Sequence, residues 1–397
     1  MRKTLDYICL QPTRQGQASY AHVNEIVAGL RRRGWEVRLV EPPHPRPGRV
    51  DGLRRAVAAA STQLAYWARC RFRPARFVYI RSHFLTLPTA LLAKAAGSIV
   101  VQEVNGPAGD TYDAWPRLRA LARLLAFVMH AQYRLADAIV VVTPGLEGHV
   151  RDRTGRRRGY HVIGNGANVD RFRPMGTAAV AGSRRYVVFV GALASWQGID
   201  TVLGAVEAPE WPSAVDLVIA GDGKERGRIE VAAKANARIR WLGTIPYAES
   251  PALVAGSLAA LVPKADAPSS RYGLSPLKLF EALACGVPVV VSDLPGLGDT
   301  VRAHDCGLTF PAGDASALAR SVAQLAADPD RAREIGSRGR DAAVALYSWD
   351  ARAGQTQQVL LDLAGRRSSG ARPARRRGAL GLRRRDRTGG RPPEAMA

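Results

Sequence analysis

"RYGLSPLKLFEALACGVPVVVSD", residues 271–293, decides how the chain is parsed. A turn-like Gly-Leu-Ser-Pro opening leads into a short helical stretch, Gly286 stops it, and a β-branched run follows. Leu277, Phe280, Leu283 and Ala284 recur at helical spacing and predict a buried stripe. Ser275 suits the N-cap, and Pro276 suits the first helical position, where its missing N–H costs little. Helix followed by strand is the unit of an α/β layer. Lys278 and Glu281 stand one turn apart within it. On a solvent-facing helix such a pair contributes only about 0.2–0.5 kcal/mol. A second reading fits the same residues: the amides of Gly273, Leu274 and Ser275 and the positive helix end suit an anion, with Lys278 adding a mobile cation.

On both sides of this segment the same alternation repeats. "YICL" (7–10), "EVRLV" (36–40), "FVYIR" (77–81), "SIVVQE" (98–103) and "AIVVVT" (138–143) are separated by helical stretches such as "SYAHVNEIVAGLRRRG" (19–34). The pattern stalls at 168–185 and resumes with "YVVFVG" (186–191), "VDLVIAG" (215–221), "IRWLG" (239–243), "LAALVP" (258–263), "VPVVVSD" (287–293) and "GLTF" (307–310). The fold class this predicts is α/β, with two doubly wound, Rossmann-like domains. Ligands of such sheets bind beyond the carboxyl ends of the strands, which puts the site in the cleft between the halves.

With 397 residues the chain can bury two cores. Its longest apolar runs fall far short of the roughly 20 residues of a membrane span, and the N-terminus lacks the apolar stretch of a secretory signal. Cys9, Cys70, Cys285 and Cys306 are far apart, suggesting neither a zinc site nor a disulfide framework. A reduced, cytoplasmic protein is the simplest expectation. The net charge is +23, of which residues 366–397 carry +9, from eleven arginines against Asp386 and Glu394. That tail has too few apolar side chains to offset ordering and is expected to be disordered. It reads equally as an arm for anionic lipid or nucleic acid and as a merely solvated end. No recognition module for a specific nucleic acid is visible.

Two further motifs carry less. "GDGKERG" (221–227) follows a strand, but its glycine spacing is one residue too long for a dinucleotide fingerprint. Gly221 and Gly223 still suit a tight turn whose N–H groups could face a phosphate. "DPD" (328–330) has the spacing of a carboxylate pair, yet it lies between helical runs, where Asp328 or Asp330 serves as a cap. No His/Cys cluster indicates a required metal.

Five elements stand in one order: "ADAIVVVTPGLEGHV" (136–150), "HVIGNGANVDRFRP" (161–174), "VVFVGALASWQGIDTVLGAV" (187–206), "DLVIAGDGKERGRIE" (216–230) and "SPLKLFEALACGVPVVVSD" (275–293). With them the chain resembles, from about residue 10 to about 360, the group 1 glycosyltransferases of GT-B fold, the family of glycogen synthases and bacterial mannosyltransferases. The resemblance implies an N-terminal acceptor-binding domain (1–174, with a crossover helix 349–365) and a C-terminal nucleotide-sugar domain (183–346). It implies sugar transfer from a nucleotide sugar, such as GDP-mannose or a UDP-sugar, to a glycan or lipid-linked acceptor. Retention of configuration and no cofactor or metal are further implications.

The resemblance assigns residues as well. Gly273, Leu274, Ser275, Pro276, Leu277 and Lys278 correspond to the helix start that holds the diphosphate, and Glu281 to the ribose-binding glutamate. Gly16 in "RQGQASY" (14–20) lies across the cleft, Gly191 follows the strand opening the second half, and His83 in "YIRSHF" contacts the donor sugar. Glu103 and Asn105 line the acceptor side, and Thr244 and Ile245 read the base. Two departures stand out. A first glutamate of the family pattern would fall at Gly273, and the arginine and lysine that clamp the diphosphate are replaced by Ala192 and Gln197. Neutralisation then falls to Lys278 and the amides, with Lys224, Lys264 and Arg271 as helpers. A non-catalytic scaffold of this fold, or a nucleotide-sugar epimerase, remains an alternative. Basic, partly amphipathic stretches at 29–38, 54–77 and 117–136 fit either peripheral docking on an anionic membrane or solvated helix faces.

Overall fold

The computed structural model describes residues 2–13, 16–43, 52–107, 109, 116–175 and 184–368. The predicted linker core (176–183) and most of the basic tail (369–397) lie outside the described residues, as do Arg14 and Gln15. Two six-stranded parallel sheets form. The first contains β1 (Thr4–Ile8), β2 (Glu36–Val40), β3 (Phe77–Arg81), β4 (Ile99–Val104), β5 (Ala138–Val141) and β6 (Tyr160–Val162), ordered β2-β1-β3-β4-β5-β6. The second contains β7 (Arg185–Val190), β8 (Val215–Ala220), β9 (Ile239–Trp241), β10 (Ala259–Val262), β11 (Val289–Ser292) and β12 (Gly307–Phe310), ordered β12-β11-β10-β7-β8-β9. β6 was not foreseen as a strand; it is a three-residue edge whose side chains are not fully buried.

Helices cover both faces of each sheet, so central strands read as continuous apolar runs rather than alternating ones. Val289, Val290 and Val291 are fully buried, as are Ile139 and Val141. Strand order then fixes where ligands fit. Connections reverse direction between β1 and β3 in the first sheet and between β7 and β10 in the second, and the crevices outside those strand ends are the binding positions.

The last helix, Trp349–Ser368, extends three residues past its predicted end and packs on the first half. Arg33 donates to both oxygens of Asp350 at 2.5 and 2.7 Å, and Trp35 donates to Gln357 at 2.9 Å. The helices meet at Gly29, where an added Cβ would lie 2.4 Å from the Cβ of Ala353. Asp328 caps the helix Pro329–Ala345 by accepting from the Arg331 N–H, the role read from "DPD". Among the described residues no helix is long and apolar enough to cross a membrane.

Candidate active site

The helix opened by "GLSP" runs Leu277–Ala284, one residue later than its sequence predicts. Pro276 is the N-cap, in extended conformation, and Ser275 precedes it. Ser275 is drawn out of the capping role because Asn165 claims it: the Asn165 N–H donates to the Ser275 hydroxyl at 3.0 Å and its side-chain amide to the Ser275 carbonyl at 2.5 Å. Leu277 leaves the predicted stripe and packs against the core of the first half, while Leu279, Phe280, Ala282, Leu283 and Ala284 fill the second. The helix start is thus wedged between the two sheets.

The amides there are not all available to a ligand. Gly273 donates to the Ser270 carbonyl and Leu274 to the Pro295 carbonyl, both at 2.9 Å, so these two do not meet an anion as the sequence suggested. Those of Ser275, Leu277 and Lys278 remain at the positive end of the helix. Gly273 sits at φ +85°, and an added Cβ would approach Thr143 at 3.1 Å. A glutamate at this place, as in the family pattern, would be strained by its backbone alone.

Lys278 and Glu281 do not pair with each other. Lys278 Nζ donates to Gln197 Oε1 at 3.0 Å and lies 3.9 Å from the centroid of the Phe189 ring. Glu281 accepts from the Tyr247 hydroxyl at 2.9 Å. The route of Lys278 requires Gly191, because a Cβ there would stand 3.0 Å from Nζ. Gly191 follows β7, and Lys264 follows β10, so the lysines gather at the switch point of the second sheet. The loops after these strands are pressed together: Ala265 donates to the Trp196 carbonyl, and a Cβ on Gly198 would lie 2.3 Å from the Pro263 carbonyl oxygen.

Electrostatics distinguishes this cluster from ordinary surface lysines. Neither Lys264 nor Lys278 has a carboxylate within 4 Å among the described residues, and both are half-buried. Burial, and then the charge of Lys264, hold Lys278 well below the ordinary lysine value against the pull of Glu281. Burial brings Lys264 down from 10.5 to about 8. Burial also pushes Glu281 up to about 7, against the Tyr247 hydrogen bond and the charges of Lys278 and Arg171. Two partly desolvated lysines with no carboxylate in contact among the described residues, at a helix start, make a receptor for an anion, which favours their charged form.

The other carried-over residues divide. Ala192 is exposed and supplies no charge, while Gln197 is the acceptor that fixes Lys278. Lys224 is exposed in the loop after β8, and Arg271 lies over the Tyr272 ring; neither acts on Lys278. Gly221 and Gly223 serve packing instead of a phosphate: a Cβ would lie 1.9 Å from the Gly191 carbonyl oxygen and 2.2 Å from that of Leu193. Their N–H groups already donate to Gly243 and to the Asp222 side chain. Thr244 is exposed, and Ile245 packs against the second core. Gly16 has φ +87° with open space around it, so its conformation rather than a close neighbour accounts for the glycine.

In the first half His83 follows β3 at the switch point. Its Nδ1 accepts from the Leu85 N–H at 3.2 Å, leaving Nε2 to carry the proton, and the ring stacks on Phe84. Burial lowers its value to about 4, so at neutral pH it is a hydrogen-bond donor and not a cation. Glu103 is 1% exposed and does not itself reach a ligand. Its oxygens take Tyr7 at 3.0 Å, Arg81 at 2.7 Å and Asn105 at 2.7 Å, and lie 3.0 Å from His22 Nε2. Although burial opposes it, these partners hold the carboxyl well below the usual range. Asn105 is the part of this cluster nearer solvent.

His22, on a helix whose sequence gives it no distinguishing signal, links the halves. Its Nδ1 is 2.7 Å from Asn165 Oδ1, and Asn165 in turn binds Ser275. Glu103, His22, Asn165 and Ser275 therefore form a polar chain from the first core to the helix start. Thr143 adds a second link by donating to the Tyr272 carbonyl at 2.5 Å, beside Gly145, where a Cβ would lie 2.7 Å from that oxygen. Gly145→Ala is expected to displace the 272–275 loop, costing about 1–3 kcal/mol of stability, and to weaken nucleotide binding. Chemical denaturation and nucleotide titration of the variant check both effects. No group of residues able to hold a metal ion is found among the described residues.

The chain is similar to known proteins over both halves. The family described as glycosyl transferases group 1 matches residues 177–342, and the glycosyl transferase 4-like domain matches 18–166. Alpha-maltose-1-phosphate synthase of Mycolicibacterium smegmatis is 27% identical over 59% of this chain and 65% of its own length. The GDP-mannose-dependent alpha-(1-6)-phosphatidylinositol monomannoside mannosyltransferase of Mycobacterium tuberculosis is 28% identical, over 69% of this chain and 73% of its own. Sucrose-phosphate synthase from Thermosynechococcus elongatus superposes with a TM-score of 0.74 at 21% identity, covering 92% of this chain and all of that one, which shows a shared fold. With both halves matched in order and the GT-B architecture in place, the chain belongs to the group 1 glycosyltransferases.

Proposed function

We propose that the protein transfers a sugar from a nucleoside-diphosphate sugar, binding the diphosphate at Lys278, Lys264 and the amides of Ser275, Leu277 and Lys278. The observation that carries this reading is the pair of half-buried lysines without a carboxylate partner at the switch point of the second sheet. Glu281, steadied by Tyr247, takes the ribose hydroxyls, and the His83 Nε2–H donates to the sugar. Cleavage of the anomeric C–O bond leaves negative charge on the diphosphate. Preorganised cations and amides stabilise that charge without a metal. In a retaining course the departing phosphate oxygen takes the proton of the acceptor hydroxyl on the same face, because no carboxylate pair is placed for double displacement.

The acceptor is a glycan or lipid-linked sugar, met at the membrane surface. Val57, Leu64 and Phe72 are 59%, 71% and 63% exposed, and Leu124 and Phe127 57% and 68%, amid Arg54, Arg69, Arg71, Arg73 and Arg123. Exposed apolar side chains interspersed along the sequence with arginines suit an anionic interface, and one relative named above is a phosphatidylinositol monomannoside mannosyltransferase.

A thermal-shift panel of GDP-, UDP- and ADP-sugars tests the donor site. One nucleotide class is expected to raise the melting temperature of the wild type, with the shift lost in Lys278→Ala and reduced in Glu281→Ala. If no nucleotide shifts the wild type, the transferase reading loses its support.

A further inference from the structure

Between helices Ala122–Leu135 and Pro144–Thr154 a small, partly open cleft lies beside the end of β4. Met129, Tyr133 and Val104 form its apolar wall, and His130, His149 and Arg153 its polar one. Among the described residues no acidic side chain lines it. Gly106 and Pro107 also line it, directly after Asn105, which donates to Glu103. On the other side the His149 ring lies 4.2 Å from that of Tyr272, whose carbonyl is held by Thr143 just before the donor helix. The cleft therefore adjoins the donor site through one residue of the second half.

The surrounding charge has one dominant sign. Arg153 and Arg134 act on His130, and Arg153, Arg271 and His130 act on His149, with Asp152 the opposing acid. Burial first, and then these charges, lower both imidazoles, and a bound anion would act in the opposite direction. A guanidinium fork and two imidazoles facing one cleft beside Met129, Tyr133 and Val104 match a tetrahedral oxyanion carried on a partly apolar molecule.

We infer that this cleft binds a phosphate group of the acceptor, beside the site where the donor sugar is presented. The word acceptor rests on the transferase reading; the phosphate site itself does not.

Imidazole NMR of the full-length protein tests it, with inorganic phosphate as one probe and vesicles of phosphatidylglycerol, against phosphatidylcholine, as the other. The His130 and His149 resonances are expected to shift saturably with phosphate while His161 and His304 stay fixed. Arg153→Gln, at an exposed position, is expected to weaken the apparent affinity about tenfold or more with an unchanged melting temperature. Shifts that phosphatidylglycerol vesicles reproduce mark a lipid headgroup as the source. Shifts with free phosphate alone mark a soluble phosphorylated acceptor. Shifts that do not saturate, or that persist unchanged in Arg153→Gln, mean an adventitious ion only and overturn the inference. None of these outcomes depends on nucleotide binding, so failure here is distinct from failure of the donor site.

Discussion

Lys278→Ala lowers kcat/KM for sugar transfer about 10²- to 10³-fold, the size of effect seen when one preorganised group facing a developing oxyanion is removed. The expectation rests on how little else beside Lys278 carries positive charge. Ala192 and Gln197 carry no charge. Arg271 lies over the Tyr272 ring, Lys224 is exposed, and neither acts on Lys278; Lys264 is the other cation that does. Steady-state kinetics with the nucleotide sugar picked out by the thermal-shift panel measures it. A loss confined to KM would mean that Lys278 binds ground state and transition state alike.

The same cations set a pH dependence whose sign is fixed. Lys264 falls from 10.5 to about 8 on folding, because burial disfavours its charged form. In the nucleotide-free protein its protonation therefore opposes folding below about pH 8, and stability from this group rises as pH climbs from 8 toward 10.5. A bound diphosphate favours the charged form, so donor affinity should fall over that interval. Lys264→Met should accordingly stabilise the nucleotide-free protein at pH 7 while weakening donor binding.

Glu103→Ala is expected to cost about 3–5 kcal/mol, the penalty for removing one member of a buried charge cluster. Arg81 is left with its charge in the core, and Tyr7, Asn105 and His22 lose a shared acceptor. The effect should extend to the second half, because His22 holds Asn165 and Asn165 holds Ser275. Asn165→Leu separates the two consequences: it leaves the Glu103 cluster in place and frees Ser275, so nucleotide affinity falls with a smaller loss of stability. Urea denaturation and nucleotide titration of both variants distinguish the cases. Equal stability losses would show that the link between the halves is the main source of the Glu103 effect.

Much of the fold was legible because a parallel sheet buried on both faces leaves apolar runs in the sequence. β2, β3 and β12 lie where their residues predict. The edge strand β6 did not show, since Tyr160 and His161 carry no such run. Local rules placed Ser275 at the N-cap and its neighbours' amides toward a ligand, and tertiary contacts overrode both. Asn165 takes Ser275, while Ser270 and Pro295 take the amides of Gly273 and Leu274. Lys278 and Glu281 are three residues apart in sequence, but their partners Gln197 and Tyr247 come from distant loops that only the strand order brings together. His22 gave no signal of its own, since one histidine on an amphipathic helix does not reveal a buried carboxylate on another strand.

Calorimetric titration of the preferred nucleoside diphosphate at pH 8, in buffers of different ionisation enthalpy, tests the central claim most directly. Proton uptake on binding is the predicted result for the wild type, with uptake reduced in Lys264→Met and binding itself lost in Lys278→Ala. Binding of the nucleotide without proton uptake, or with uptake and affinity unchanged in both variants, would contradict a diphosphate seated on these two lysines.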